Sequence, residues 1–299
     1  MSEFIVRTTG KWILAGEHAV LRGSPALVFP LHSRSLELRY KGIKTGGPID
    51  HLGLIVAGKH GEEVRVLFWG VLERACELKK IHRETLRGMV EIKNEIPLGA
   101  GLGASAALCV AVARWFRHLE LVPESEIPEF ARVLENLFHG ESSGVDIAIA
   151  VTGKALRFKR GEAPRFLEMH WSPPLYLSYS GQRGVTLECV NQVKALFDSD
   201  PTLAARLDQK MSDAVAMCEA ALLSPKVEGL ALLTKALQEA ESCFEQWGLV
   251  QGTLQKHLKK LHDAGALAAK PTGSGQGGYT LSLWEKPPPE QLGCFESGI

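Results

Sequence analysis

The sequence predicts a mixed α and β protein built as two domains, and three observations predict it. Residues 35–40 and 89–96 alternate as half-wet strands on either side of a helical pattern at 62–81, and this strand–helix–strand order runs on into a loop and another helix. Residues 161–174 contain three prolines and mixed polarity, which marks a boundary. Beyond it, residues 186–264 read almost entirely as helices.

Taken in order, residues 4–6 read as a short strand and 12–14 as another, which Gly16 breaks. Residues 26–31 form an apolar strand and 35–40 a separate one with a wet face, followed by a turn-rich loop at 41–48. Helical spacing of Val66, Val71, Leu72, Ala75 and Leu78 predicts the helix over 62–81. The strand at 89–96 delivers the chain into Pro97, Leu98, Gly99, Ala100, Gly101, Leu102, Gly103, Ala104 and Ser105, and a buried helix over 106–119 follows at once. A break at 122–125 precedes an amphipathic helix over 127–138, an apolar run at 147–151 and a strand at 154–159. After the boundary come a strand at 175–179 and helices at 186–197, 201–223, 226–246 and 253–264. A second glycine cluster, 270–279, leads into a strand at 279–284, and Pro287, Pro288 and Pro289 begin a tail.

Lys plus Arg equal Asp plus Glu at 34 each, so bulk charge gives no argument for nucleic acid or an anionic membrane as partner. The six cysteines show no CxxC spacing, which argues against a zinc or redox motif and fits a reducing, cytoplasmic setting. No signal core and no membrane-length apolar stretch is visible.

The glycine loop at 99–103 opens directly into a helix. Glycines let backbone approach a ligand closely, and the first helical N–H groups lack internal partners, so such a junction suits a phosphate. It is not a Walker sequence, since no Gly-Lys-Ser/Thr follows. Each other candidate has a plain structural reading beside the functional one. Lys11 suits a surface strand end, and Glu17-His18 suits a loop. Ser143 and Asp146 fit a capping box, Glu135 fits a solvated helix face, and 273–278 fits a hairpin-like turn. Together, however, two glycine clusters, a hydroxyl, two carboxylates and a lysine are the parts that phosphoryl transfer needs.

At this point the chain resembles the GHMP kinases, the superfamily of galactokinase, homoserine kinase, mevalonate kinase and phosphomevalonate kinase. Three stretches carry the resemblance: Gly10 to Leu21, Pro97 to Ala107, and Lys270 to Tyr279. The mevalonate kinase branch is most similar, through Gly16-Glu17-His18-Ala19-Val20 with Gly23 and Pro25-Ala26-Leu27, and through His139-Gly140 with Ser143-Gly144-Val145-Asp146. The resemblance implies an α+β, two-lobed fold. Its N-terminal lobe, 1–165, is like domain 2 of ribosomal protein S5 and binds ATP; its C-terminal lobe, 166–299, is a helix-rich, ferredoxin-like α/β sandwich. It implies ATP-dependent phosphorylation of the C5 hydroxyl of mevalonate, with Lys11 and Asp146 flanking that hydroxyl. Ser105 and Glu135 are implied as ligands of Mg2+, and the Pro97–Ser105 stretch as the phosphate cradle. His18, Thr186, Gly273 and Ser274 are implied as the acceptor side, with Glu17 supporting that wall. A homodimer is compatible with the resemblance.

Four residues depart from the family pattern: Thr9, Ala104, Val185 and Gln276. Val185 touches the acceptor side, so a phosphorylated acceptor stays open, with Arg183 and Lys194 as cations for it. A catalytically silent nucleotide-binding protein is the reading from another class, although Lys11, Glu135 and Asp146 are all present.

Overall fold

A computed structural model describes residues 3–42, 51–58, 60–139 and 142–299. The elements in chain order are β1 (Glu3–Ala15), β2 (Ala26–Lys41), β3 (Leu52–Ala57), α1 (Gly61–Lys79), β4 (Gly88–Asn94), α2 (Ala104–His118), α3 (Ile127–His139), α4 (Val145–Thr152), β5 (Leu156–Phe158) and β6 (Arg165–Phe166). They continue as β7 (Leu175–Tyr179), α5 (Thr186–Ser199), α6 (Pro201–Leu223), α7 (Lys226–Gln246), α8 (Gly252–Asp263), β8 (Ala268–Pro271), β9 (Tyr279–Leu283) and β10 (Phe295–Glu296). The chain packs into two compact units. The first takes 1–10, 32–98 and 103–153; the second takes 11–31, 99–102 and 154–299. Their outline differs from a single cut at 165. β1 and β2 are longer than the predicted strands, and residues 11–31 between them pack with the C-terminal part of the chain.

In the first unit the C-terminal part of β2 pairs antiparallel with β4, and β3 lies parallel on the other side of β4. The predicted strand–helix–strand order is therefore met by β3, α1 and β4, not by the strand at 35–40. A parallel pair needs a crossover, and α1 supplies it. Helix α1 buries Val64, Phe68, Val71, Leu72, Ala75 and Cys76, which share one face at 3.6-residue spacing. Helix α2 is buried all round from Ala106 to Ala113 and again at Trp115 and Phe116, so it is the core of this unit, with α1, α3 and α4 packed on it. Trp115 contacts the rings of Tyr40, Phe68 and Phe116, and Thr8 Oγ1 donates to the Ala107 carbonyl at 2.9 Å. Part of the predicted loop at 41–48 lies outside the described residues, as do Gly140 and Glu141.

In the second unit the N-terminal part of β2 pairs with β5, and β5 with β6. A separate antiparallel sheet runs in the order β10-β7-β9-β8. Helices α6 and α7 form a long pair, with α5 against α6 and α7 against β8. The residues after Pro289 are more than the predicted tail: β10 pairs with β7, and the Ser297 carbonyl accepts from Trp12 Nε1 at 3.2 Å. Strands 26–31 and 35–40, predicted separately, are one strand. The polar stretch 32–35 between them stays extended with its side chains half-buried or exposed. All six cysteines are free thiols; five are buried and Cys294 is half-buried. Burial pushes the Cys76 thiol up to about 11 and those of Cys218 and Cys243 to about 12.

Candidate active site

Strand β1 alternates in and out as far as Thr9, then every residue from 10 to 15 is buried. That loss of alternation means both faces are covered. It carries Lys11, at 5% exposure, into the interior of the second unit rather than to the surface. The backbone N–H of Lys11 donates to the Leu102 carbonyl at 2.9 Å. The chain leaves β1 at Gly16, with φ +110° and Pro25 O only 2.5 Å from where a Cβ would stand. No other residue fits there. The turn drives Glu17 and His18 inward instead of leaving them on an open loop.

Glu17 meets Lys270. Lys270 Nζ donates to Glu17 Oε1 at 2.5 Å, to Pro271 O at 2.7 Å and to Ile13 O at 3.4 Å, and it sits 5.5 Å from the centre of the Phe244 ring. Burial raises the Glu17 carboxyl above the usual carboxylate range, and the Lys270 charge opposes that rise. His18 sits in the left-handed region at φ +58°, with Phe244 and Trp247 rings at 5.9 and 5.2 Å. Its Nε2 lies 2.8 Å from Ser274 O. A carbonyl only accepts, so Nε2 carries the proton. Burial lowers the imidazole to about 4. At neutral pH the ring is therefore uncharged, and among the described residues its buried Nδ1 is an acceptor with no hydrogen-bond partner.

The second glycine cluster does join the antiparallel pair β8 and β9, as a hairpin-like turn would. It is also a built loop. Gly101 and the Thr272 carbonyl approach so closely that a Cβ on Gly101 would stand 2.8 Å from that oxygen. Tyr279 N donates to Ala100 O at 3.2 Å, Ile13 N to Thr272 Oγ1 at 2.8 Å, and Thr272 Oγ1 to Ile13 O at 3.1 Å. Ser274 Oγ donates to Thr186 Oγ1 at 3.4 Å, where Thr186 is the first residue of α5. Residues around 11, 101 and 272, far apart in sequence, thus touch inside the second unit, together with Glu17, His18, Thr186, Gly273 and Ser274. Arg183 approaches Gly99, its Cδ 3.5 Å from the place of a Cβ there. Lys194 is exposed on α5.

The first unit holds the other candidates. Ser105 is the second residue of α2 and Asp146 the second of α4; the caps are Gly103 and Gly144, neither with a side-chain cap bond. The hydroxyl half of the capping box is present. Ser143 precedes the cap, and its hydroxyl accepts from Val145 N at 3.3 Å. Glu135 is 1% exposed, so the solvated-face reading fails. Its carboxylate accepts from the Ser142 hydroxyl, which also accepts from Gly144 N at 3.1 Å. Glu135 faces α2, because its charge adds to the burial that raises the Cys109 thiol, one turn beyond Ser105 on that helix. Of the phosphate-loop residues, Pro97, Leu98, Gly103, Ala104 and Ser105 belong to this unit and 99–102 to the other. Sequence reasoning gave no role to Lys270, Thr272, Ser142 or Gln192. Lys270 and Thr272 stand inside the 270–279 stretch that resembles the family; Ser142 and Gln192 carry no signal in the sequence.

The family description "GHMP kinases N terminal domain" matches residues 67–154. A mevalonate kinase of Pyrococcus horikoshii is 30% identical over 296 residues, covering 91% of this chain and 86% of the relative. A mevalonate kinase of Aeropyrum pernix is 29% identical and covers 93% and 87%. Among solved structures, L. major mevalonate kinase in complex with R-mevalonate superposes with a TM-score of 0.76 at 22% identity, covering 96% of this chain and 88% of that one. Streptococcus pneumoniae phosphomevalonate kinase, in complex with phosphomevalonate and AMPPNP, gives 0.74 at 14% identity and covers 98% of each chain. At these identities the structures establish the fold and leave the choice of acceptor to other observations.

Proposed function

Because the chain belongs to the mevalonate kinase family of GHMP kinases, we propose that it transfers the γ-phosphoryl group of ATP to the C5 hydroxyl of mevalonate. What supports this most is the contact among its three motif stretches: Lys11 N on Leu102 O, Ile13 on Thr272, and Tyr279 N on Ala100 O. A glycine-rich turn with a structural role alone has no need of all three.

In this reading the backbone amides of 99–105 and the start of α2 hold the triphosphate. Asp146 accepts the proton of the C5 hydroxyl, the new O–P bond forms at the γ-phosphorus, and the bond to the β-phosphate bridging oxygen breaks to release ADP. Lys11 offsets the charge that develops on the transferring group. His18, Thr186, Gly273 and Ser274 form the acceptor side, and Glu17, paired with Lys270, supports that wall. Positioning carries most of the rate, as phosphoryl transfer allows.

The donor set suits magnesium. A hydroxyl at Ser105 and a buried carboxylate at Glu135 are hard oxygen donors, and Ser142 steadies that carboxylate. Among the described residues no group of three or more His, Cys, Asp or Glu side chains forms a metal cage, which fits an ion that takes its other ligands from phosphate and water. Bound there, Mg2+ would neutralise phosphate charge. One observation favours a phosphorylated acceptor as second reading: Arg183, a cation, beside Gly99.

ADP release with mevalonate, 5-phosphomevalonate, homoserine and galactose separates these readings. Turnover with mevalonate is expected. Turnover with 5-phosphomevalonate alone overturns the choice of acceptor, and turnover with none of them leaves a nucleotide-binding protein. Asp146→Asn should lower kcat at least about a hundredfold in a folded protein.

A further inference from the structure

Gln276 stands in the left-handed region at φ +55°, where glutamine carries a steric penalty that glycine would not. Its hydrogen bonds offset that penalty. Its side-chain Nε2 donates to Gln192 Oε1 at 2.6 Å, and its backbone N–H donates to Leu249 O at 2.8 Å. Its carbonyl accepts from Gln182 Nε2 at 2.5 Å. Gln192 is anchored in turn: its Nε2 donates to Trp247 O at 2.9 Å and to Gly248 O at 3.0 Å. A Cβ on Gly248 would stand 2.6 Å from that nitrogen, so the close approach needs glycine there.

These bonds fasten one loop to one wall. Ser274 O, two residues before Gln276, holds the His18 ring, and the Trp247 ring lies 5.2 Å from it. We propose that Gln276 and Gln192 are positioning residues, their amide–amide bond fixing the 273–277 loop to the end of α7 so that Ser274 and His18 are held ready for the acceptor. The assignment to the acceptor rests on the function proposed above; the clasp itself rests on the bonds. A loop already held in its binding conformation loses less freedom when substrate arrives. Loss of the clasp therefore appears in the acceptor KM more than in kcat.

The test compares full-length wild type with Gln276→Gly, Gln192→Met and the double variant, by amide hydrogen exchange, melting temperature and steady-state kinetics. Gln276→Gly removes both the amide bond and the backbone strain, so its melting temperature should stay close to wild type. Gln192→Met removes the bond together with those that Gln192 donates to Trp247 O and Gly248 O, and leaves residue 276 intact. Each single variant should speed exchange within 273–278 about fivefold, the worth of one hydrogen bond, and the double variant no further. The acceptor KM should rise about fivefold with kcat within about twofold. Unchanged exchange in both single variants overturns the clasp, as does multiplication of the two effects in the double variant. Faster exchange spread over the whole chain with a lower melting temperature reduces it to a stability contact. A loss in kcat at constant KM refutes the positioning role. If the wild type turns over no acceptor, the functional reading falls and the exchange result still decides the clasp.

Discussion

Acid should weaken this fold in part through His18. Its imidazole is buried, donates from Nε2 to Ser274 O, and has its proton affinity lowered from 6.5 to about 4, chiefly by desolvation. Arg22 lowers it further while Asp208 opposes this, and those two charges are paired with each other at 2.5 Å. In the unfolded chain the same ring keeps an ordinary affinity, so the unfolded state takes up the proton first. The stability linked to His18 is therefore full above pH 6.5, and it is lost as pH falls from 6.5 to about 4. A gap of two and a half pH units corresponds to about 3 kcal/mol in total, of which about 1.4 kcal/mol should be gone at pH 5.5. Urea unfolding across this range, for wild type and His18→Asn, isolates the contribution. Asparagine tolerates the left-handed backbone at this position, so the variant keeps the turn. The pH slope of the difference between the two proteins is the quantity of interest, since other titrating groups cancel in it. Imidazole resonances followed by NMR give the affinity directly. A His18 that titrates near 6.5, or equal slopes for the two proteins, would refute the argument from burial.

Two further outcomes follow from the same geometry. Lys270→Met strands the Glu17 carboxylate in a site where both groups are essentially unexposed, and should destabilise the protein by about 3–5 kcal/mol in denaturant titrations; a loss under about 1 kcal/mol would mean that Glu17 is protonated in the native state. Ser105→Ala should leave the fold intact and raise the magnesium concentration needed for half-maximal rate; an unchanged magnesium dependence would remove Ser105 from the ligand set.

Long periodic segments were legible in the sequence. The predicted ranges 201–223 and 226–246 coincide with α6 and α7, because amphipathic spacing and flanking prolines mark both. Short strands were legible in part: 175–179 coincides with β7 and 279–284 nearly with β9, while others were missed. β8 and β10 are too brief for alternation to register, β8 has both faces covered, and the six residues of β3, Leu-Gly-Leu-Ile-Val-Ala, carry no polar side chain to alternate. The motif residues were legible as a set, and the reason for their burial was not. Lys11 and Glu135 look like surface residues by type. What hides them is the doubly covered end of β1 in one case and the packing of α2, α3 and α4 in the other. Lys270, opposite Glu17 across more than 250 positions of chain, becomes visible only once β8 lies beside the end of β1.

The thiols supply a practical consequence. With Cys218 and Cys243 at about 12 and Cys76 at about 11, the thiolate fraction at neutral pH is on the order of one part in ten thousand or less. Alkylating reagents and mild oxidants find almost nothing to attack while the chain is folded, apart from the half-buried Cys294. Once it opens, five sulfurs regain ordinary reactivity together. The rate of labelling in a dilute reagent thus serves as an intrinsic gauge of how often the native state comes apart, with no probe added.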